Sequence, residues 1–308
     1  MAAKKMAAGL IAVLTAVCMM WEPAFVQAAS SKADLNKPYI ALGADLSDSE
    51  RAEVLRLLDV TEEELKDYTV ATVSNEMEHE YLDSFLSAEL IGSRALSSVK
   101  VVGKGKGNGI KVTTKNISYC TTGMYQNALA TAGVENVDVT VAGPTSISGT
   151  AALVGTMEAY ENMTGDAIEA DNVEAATNEL VVTSELGETI GDQKKAEELV
   201  GAVKDIVVGE EIKDPQEIEE KVTETANQLE ISLSEEDKQQ IVDMMEKISH
   251  LDLDVSALKQ QVQELYDRLS GLDIDISEAD MDSFFAGIGS WASDLWNSIK
   301  GFFGGLFS

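Results

Sequence analysis

The chain has 308 residues, 54 of them acidic and 23 basic, for a formal net charge of −31; 44% are hydrophobic and two are cysteines. That is enough apolar material for one large or two small packed domains, and too few cysteines for a disulfide-built scaffold. So strong an anionic field repels phosphate and argues against a nucleic-acid partner.

Residues 1–28 run from Lys4 and Lys5 through an apolar stretch, Met6 to Met20, to a Val26-Gln27-Ala28 step. This order predicts a secretory signal peptide cleaved before Ala29, because the apolar run falls short of the roughly 20 residues a spanning helix needs. Cleavage would leave Cys120 as the sole thiol, with no internal disulfide. The expected location is extracytoplasmic, at the outer face of the cytoplasmic membrane or in the cell wall of a Gram-positive bacterium.

Two short helices are expected next, at the capping boxes Ser47/Glu50 and Thr61/Glu64. A strand over Tyr68–Val73 and an acidic helix over Asn75–Leu90 follow. β-type runs at Ala95–Val102 and Ile110–Ile117 flank the glycine- and lysine-rich residues 103–109, which read as a hairpin loop. A helix at Thr121–Ala132, a strand at Val137–Ala142 and a helix at Thr150–Met163 complete this part. The order β-α-β-β-α-β predicts an α+β fold with a ferredoxin-like antiparallel sheet and helices on one face.

From about Asp166 amphipathic helices succeed one another. Asp214-Pro215 with Glu217 is a helix start. Leu229–Ser234, Leu251–Ser256 and Leu272–Ser277 repeat an apolar-acidic-apolar pattern ending in a capping serine. The expected division is a signal peptide at 1–28, a sheet domain at 29–165, an acidic helical domain at 166–280 and an aromatic amphipathic tail helix at 281–308.

Several motifs carry resemblances to chemistry, none of them complete. His79-Glu80-Tyr81-Leu82-Asp83 has an aspartate where a zinc-protease helix needs its second histidine. Gly143–Thr150 joins a strand to a helix but lacks the lysine of a nucleotide loop, leaving at most an anion site at a helix N-terminus. The acids Asp252, Asp254, Asp273, Asp275, Asp280 and Asp282 lack the glycine and final glutamate of a calcium loop. Cys120 has no histidine nearby in sequence to act as its base. No cofactor or metal is expected, and the sequence assigns no catalytic residue.

Charge segregation says more. Between Ile91 and Val134 there is no acid, while Arg94, Lys100, Lys104, Lys106, Lys111 and Lys115 form a cationic island. Lys100, Lys104, Lys106 and Lys111 are therefore candidate anion-binding residues, for an anionic envelope polymer or lipid headgroups; the alternative is docking on the protein's own acids. Residues 281–308 hold five of the seven phenylalanines and two of the three tryptophans. At about 100° per residue, Phe284, Phe285, Ile288, Trp291, Leu295, Trp296, Ile299, Phe302, Phe303, Leu306 and Phe307 share an arc of about 160°. Such a stripe suits a membrane interface or a partner protein.

The stretch from Ala41 through Tyr160 resembles the YpuA-like secreted proteins of Firmicutes. The resemblance is carried by Thr72-Val73-Ser74-Asn75-Glu76, Gly109-Ile110-Lys111-Val112, Asn116-Ile117, Tyr125 through Gly133 and Ser148 through Leu153. It implies export and supplies no catalytic residues, since the family is one of unknown function. Two further readings stand beside peripheral membrane association. One is a hydrolase of envelope polymers using carboxylates such as Glu76, Glu78 or Asp83, which needs two acids of divergent pKa across a cleft. The other is a soluble scaffold that self-associates through the tail.

Overall fold

A computed structural model describes residues 35–253. The expected leader at 1–28 and the aromatic stripe at 281–308 lie outside the described residues, as do the second and third capping serines, Ser256 and Ser277.

The order is β1 (Tyr39–Gly43), α1 (Asp48–Leu57), a 3-10 turn (Glu64–Asp67), β2 (Thr69–Val73), α2 (Asn75–Leu82), α3 (Ala88–Ile91), β3 (Ser98–Gly103), β4 (Ile110–Ile117), α4 (Thr122–Thr131), β5 (Val137–Ile147) and α5 (Thr150–Thr164). Among the described residues four helices follow: α6 (Ala170–Ile190), α7 (Gln193–Gly209), α8 (Pro215–Gln228) and α9 (Glu235–Ser249). The fold is α+β, as expected.

The sheet departs from the ferredoxin-like order. Its strands lie in the order β2-β1-β3-β5-β4, with β1/β2 and β4/β5 parallel and β3 antiparallel to both β1 and β5. Four strands therefore share one direction, and β3 alone runs against them. Two features cause the difference. The short run Tyr39–Gly43 forms a wholly buried strand between β2 and β3. And β5 inserts between β3 and β4, so residues 103–109 close no hairpin.

Those residues instead wrap the start of β5. Lys104 N donates to Asn136 O at 2.7 Å, and the Gly107 and Asn108 amides donate to Asn136 Oδ1 at 2.8 and 3.1 Å. Asn136 adopts φ +51°, in the left-handed region that Asn tolerates best among side-chain-bearing residues.

Helices cover both faces of the sheet, not one. Ile40 and Leu42 of β1 pack with Val54 and Leu55 of α1 and with Leu58, which caps it. The alternate residues Tyr39 and Ala41 face a second core with Val99, Val101 and Val139, under α4 and α5. Burial on both sides explains why β1 is an uninterrupted apolar run, without the alternation that marks half-exposed strands. α5 sits close to the sheet because Gly155 has no side chain: a Cβ there would stand 3.1 Å from Ala41 Cβ and Val73 Cγ2.

Caps fix most helix starts where the sequence places them. Ser47 and Glu50 form a reciprocal box, Asp214 accepts from the amides of Gln216 and Glu217 ahead of Pro215, and Ser234 caps α9 with Asp237. Thr61 and Glu64 also pair, but they open only the 3-10 turn. The acidic helix expected over Asn75–Leu90 is broken into α2 and α3. Ser84 and Ser87 lie in the break, where hydroxyls that compete for backbone hydrogen bonds weaken a helix.

α6 ties the sheet to the helices that follow. Ala176 and Leu180 belong to the core beneath α4 and α5, while Ala175, Val182 and Leu186 belong to the core of α7–α9. Between these layers Lys204 of α7 is fully buried and donates to Glu179 Oε1 at 2.9 Å, Asn127 O at 2.8 Å and Thr131 Oγ1 at 3.2 Å. Thr131 also donates to Glu179. All three ammonium protons thus have acceptors, the condition under which a buried charge is tolerated. Among the described residues no helix is long and apolar enough to cross a membrane.

Candidate functional site

Because β1, β2, β4 and β5 run the same way, their carboxyl ends lie along one edge of the sheet, together with the start of β3. Ligands of open sheets with parallel strands favour this edge. A cleft of about 330 Å³ opens there, lined by Glu78 of α2, Ile91 of α3, Gly92 through Arg94, Leu96, Ser97, Ile147 at the end of β5, and Ser148 and Gly149 at the start of α5.

Local chemistry sets each part. Ser74 follows β2 directly and caps α2 by accepting from Met77 N at 3.2 Å, which brings Glu78 round to the inner side one turn later. Gly149, at φ +96°, turns the chain into α5; a Cβ there would lie 2.5 Å from the Tyr125 hydroxyl and 2.7 Å from Ile117 Cγ2. The Tyr125 hydroxyl donates to Gly149 O at 2.5 Å and pins the turn from beneath. At the start of β3, the Ala95 amide donates to Asp45 Oδ2 at 2.8 Å, and Ser98 Oγ accepts from Gly43 N at 3.1 Å.

Among the described residues Glu78 is the one acid lining the cleft, and it is 2% exposed. Its Oε1 accepts from Thr150 Oγ1 at 3.4 Å and its Oε2 from Asn75 Nδ2 at 3.3 Å. Both bonds are long, and burial wins: the carboxyl is pushed up to about 7, against the lowering effect of those two donors and of His79. The carboxylate thus lies at the N-terminal end of α5, occupying part of the position that the strand-to-helix loop offered to an anion.

Arg94 lines the same cleft. Its Nη2 donates to Asp45 O and to Glu50 Oε2, both at 2.7 Å. The Arg94 hydrogen bond, with those from Ser47, holds the Glu50 carboxyl down to about 2. One guanidinium therefore connects the cleft to a permanently ionised acid, while Glu78 titrates near neutrality. Carboxyls with such divergent protonation are what acid–base or charge-dependent binding chemistry uses.

The remaining sequence candidates scatter. Of the carboxylates named with Glu78, Glu76 and Asp83 are exposed and line no part of the cleft. Asp83 pairs with His79 Nδ1 at 2.6 Å, which raises the imidazole pKa. Lys100 and Lys115 donate to the carbonyls of Leu58 and Leu57, capping the C-terminal end of α1. Lys104 pairs with Asp138 at 2.8 Å, and Lys111 reaches Asn108 Oδ1 at 3.4 Å on the same side. Lys106 is exposed in the glycine loop. Cys120 is buried, and burial pushes its thiol up to about 12, the opposite of an activated nucleophile. Among the described residues no three His, Cys, Asp or Glu side chains are placed to hold a metal ion.

Sequence reasoning named Glu78 without separating it from its neighbours, and it missed the cleft's other members. The distinguishing signal was spacing: Glu78 falls one turn before Leu82, itself fully buried, on the inner face of a helix capped at Ser74.

Residues 42–265 match the family model described as Protein of unknown function (DUF1002). Over 252 residues the chain is 38% identical to the uncharacterized protein YpuA of Bacillus subtilis strain 168, covering 82% of this chain and 83% of that protein. No solved structure matches. The chain belongs to the DUF1002 family.

Proposed function

We propose that the protein is exported and acts at the cell envelope by binding rather than by catalysis, held peripherally at the membrane or on a membrane protein by residues 281–308. The observation that carries this reading is the aromatic pattern itself: eleven large apolar residues from Phe284 to Phe307 whose spacing, at about 100° per residue, puts them on one arc opposite Ser290, Ser293, Asp294, Asn297 and Lys300. At roughly 1.5–3 kcal/mol per fully buried side chain, partial burial in an interface offsets the cost of ordering the segment only when it is docked. The leader pattern at residues 1–28 supports export. An anionic envelope polymer is the proposed contact for the exposed cations around Lys106.

Flotation with lipid vesicles tests this directly. The intact chain is expected to float, and the chain lacking residues 281–308 is expected to stay in the dense fraction. Equal flotation of both would overturn the proposal. A mass change in light scattering on the same truncation, without flotation, would favour self-association.

The raised pKa of Glu78 favours a second reading, proton transfer on an envelope polymer within the cleft. Glu50 would be the ionised partner, linked through Arg94. This reading requires turnover that Glu78→Gln abolishes.

A further inference from the structure

The cleft at the carboxyl ends of the strands has a composition that selects among ligand charges. Its interior acid, Glu78, holds only two long hydrogen bonds, from Thr150 and Asn75, so a donor from a ligand would improve its solvation. A cation is the donor that gains most there. At the opposite charge extreme, Arg94 commits Nη2 to Asp45 O and Glu50, and its Nε and Nη1 make no hydrogen bond among the described residues. A guanidinium edge of that kind donates to a carboxylate. Ile91, Leu96 and Ile147 supply apolar wall to the same cleft, with the hydroxyls of Ser97 and Ser148.

The field of the whole chain narrows the choice. With a net charge of −31, the molecule disfavours a purely anionic ligand at this cleft, where the lining cation Arg94 is already paired with Glu50. A ligand carrying only positive charge would leave the free edge of Arg94 facing it. A neutral zwitterion satisfies both groups at no long-range cost. The cleft volume, about 330 Å³, lies at the small end of the roughly 300–1,000 Å³ range of small-molecule sites, which suits one or two amino-acid residues.

We propose that this cleft binds a free amino acid or dipeptide, its ammonium group on Glu78, its carboxylate on Arg94 and its small aliphatic side chain against Ile91, Leu96 and Ile147. The proposal uses residues 78–149 and none of 281–308, so its failure and the failure of membrane attachment are separately visible.

Titration calorimetry on the full chain with alanyl-alanine and with alanine tests it, alongside N-acetyl-alanyl-alanine and alanyl-alanine amide. Saturable binding of at least one free ligand is expected, with a loss of about tenfold or more for each blocked dipeptide. Glu78→Gln keeps the side-chain shape, and Arg94→Gln changes an exposed residue; each is expected to weaken binding by about tenfold or more with the circular dichroism spectrum unchanged. Absence of saturable binding by both free ligands would overturn the proposal. Equal affinity for the blocked dipeptides, or unchanged affinity in either folded variant, would do the same.

Discussion

Glu78 and Thr150, 72 residues apart, meet at 3.4 Å where α2 and α5 converge at the cleft. The contact places an acid at the start of a helix whose N-terminal amides favour negative charge, yet burial still holds that acid largely protonated up to neutrality. Desolvation outweighs the helix terminus here because both hydrogen bonds to the carboxyl are long.

Stability should therefore fall with rising pH through this group. In the folded chain the Glu78 pKa is raised, so the folded state binds more protons than the unfolded state between the ordinary glutamate range and about pH 7. The associated stability is fully present below that window and lost as pH rises through it, by up to roughly 3 kcal/mol. Glu78→Gln should remove this component, leaving the variant more stable than the parent at pH 8 and little changed at pH 4. Urea unfolding at both pH values measures it; a variant that is less stable at pH 8 contradicts the assignment.

The turn into α5 gives a sharper test of local geometry. Gly149→Ala introduces a Cβ 2.5 Å from the Tyr125 hydroxyl at a backbone φ of +96°. A loss of roughly 1–3 kcal/mol is expected from the positive φ alone, with a further loss from displacing Tyr125. Gly191→Ala, also at positive φ but with nothing within 4 Å of the added Cβ, should cost less. Thermal or urea unfolding of the two variants side by side compares them.

The charge buried between α4, α6 and α7 makes a different demand. Lys204→Met leaves Glu179 buried without its cation and should destabilise by about 3–5 kcal/mol. Replacing both, Lys204→Met with Glu179→Leu, should recover much of that loss, since an uncompensated ion costs more than an absent pair. A double variant no more stable than the single one in urea unfolding would contradict this.

Much of the fold was legible in the sequence. Caps at Ser47, Asp214 and Ser234 depend on residues within one turn, and local signals of that kind survive folding unchanged. Strand order was not legible, because it depends on which partners β1 and β5 choose. Tyr39–Gly43 is only five residues long and lacks alternation, since both of its faces are buried. The glycines of residues 103–109 announced a turn but carried no information on whether it closes a hairpin or crosses the end of another strand.

The site was less legible still. Six basic residues in an acid-free stretch suggested one cationic surface, yet Lys100 and Lys115 serve the C-terminal end of α1, and Lys104 answers Asp138. A count of charges along the chain cannot say which face of which strand each side chain leaves. Glu78 was hidden for the converse reason: among the acids of α2 it alone faces inward, and only the packing of α5 and the β3 approach makes its surroundings a cleft.

The most direct measurement is a carboxyl-carbon NMR titration of the full chain, with the Glu78 resonance identified by its loss in Glu78→Gln. A midpoint near pH 7 is expected for Glu78, well above the ordinary glutamate range. A Glu78 midpoint in the ordinary glutamate range would mean that the carboxyl is solvated, and would contradict the buried acid at the cleft.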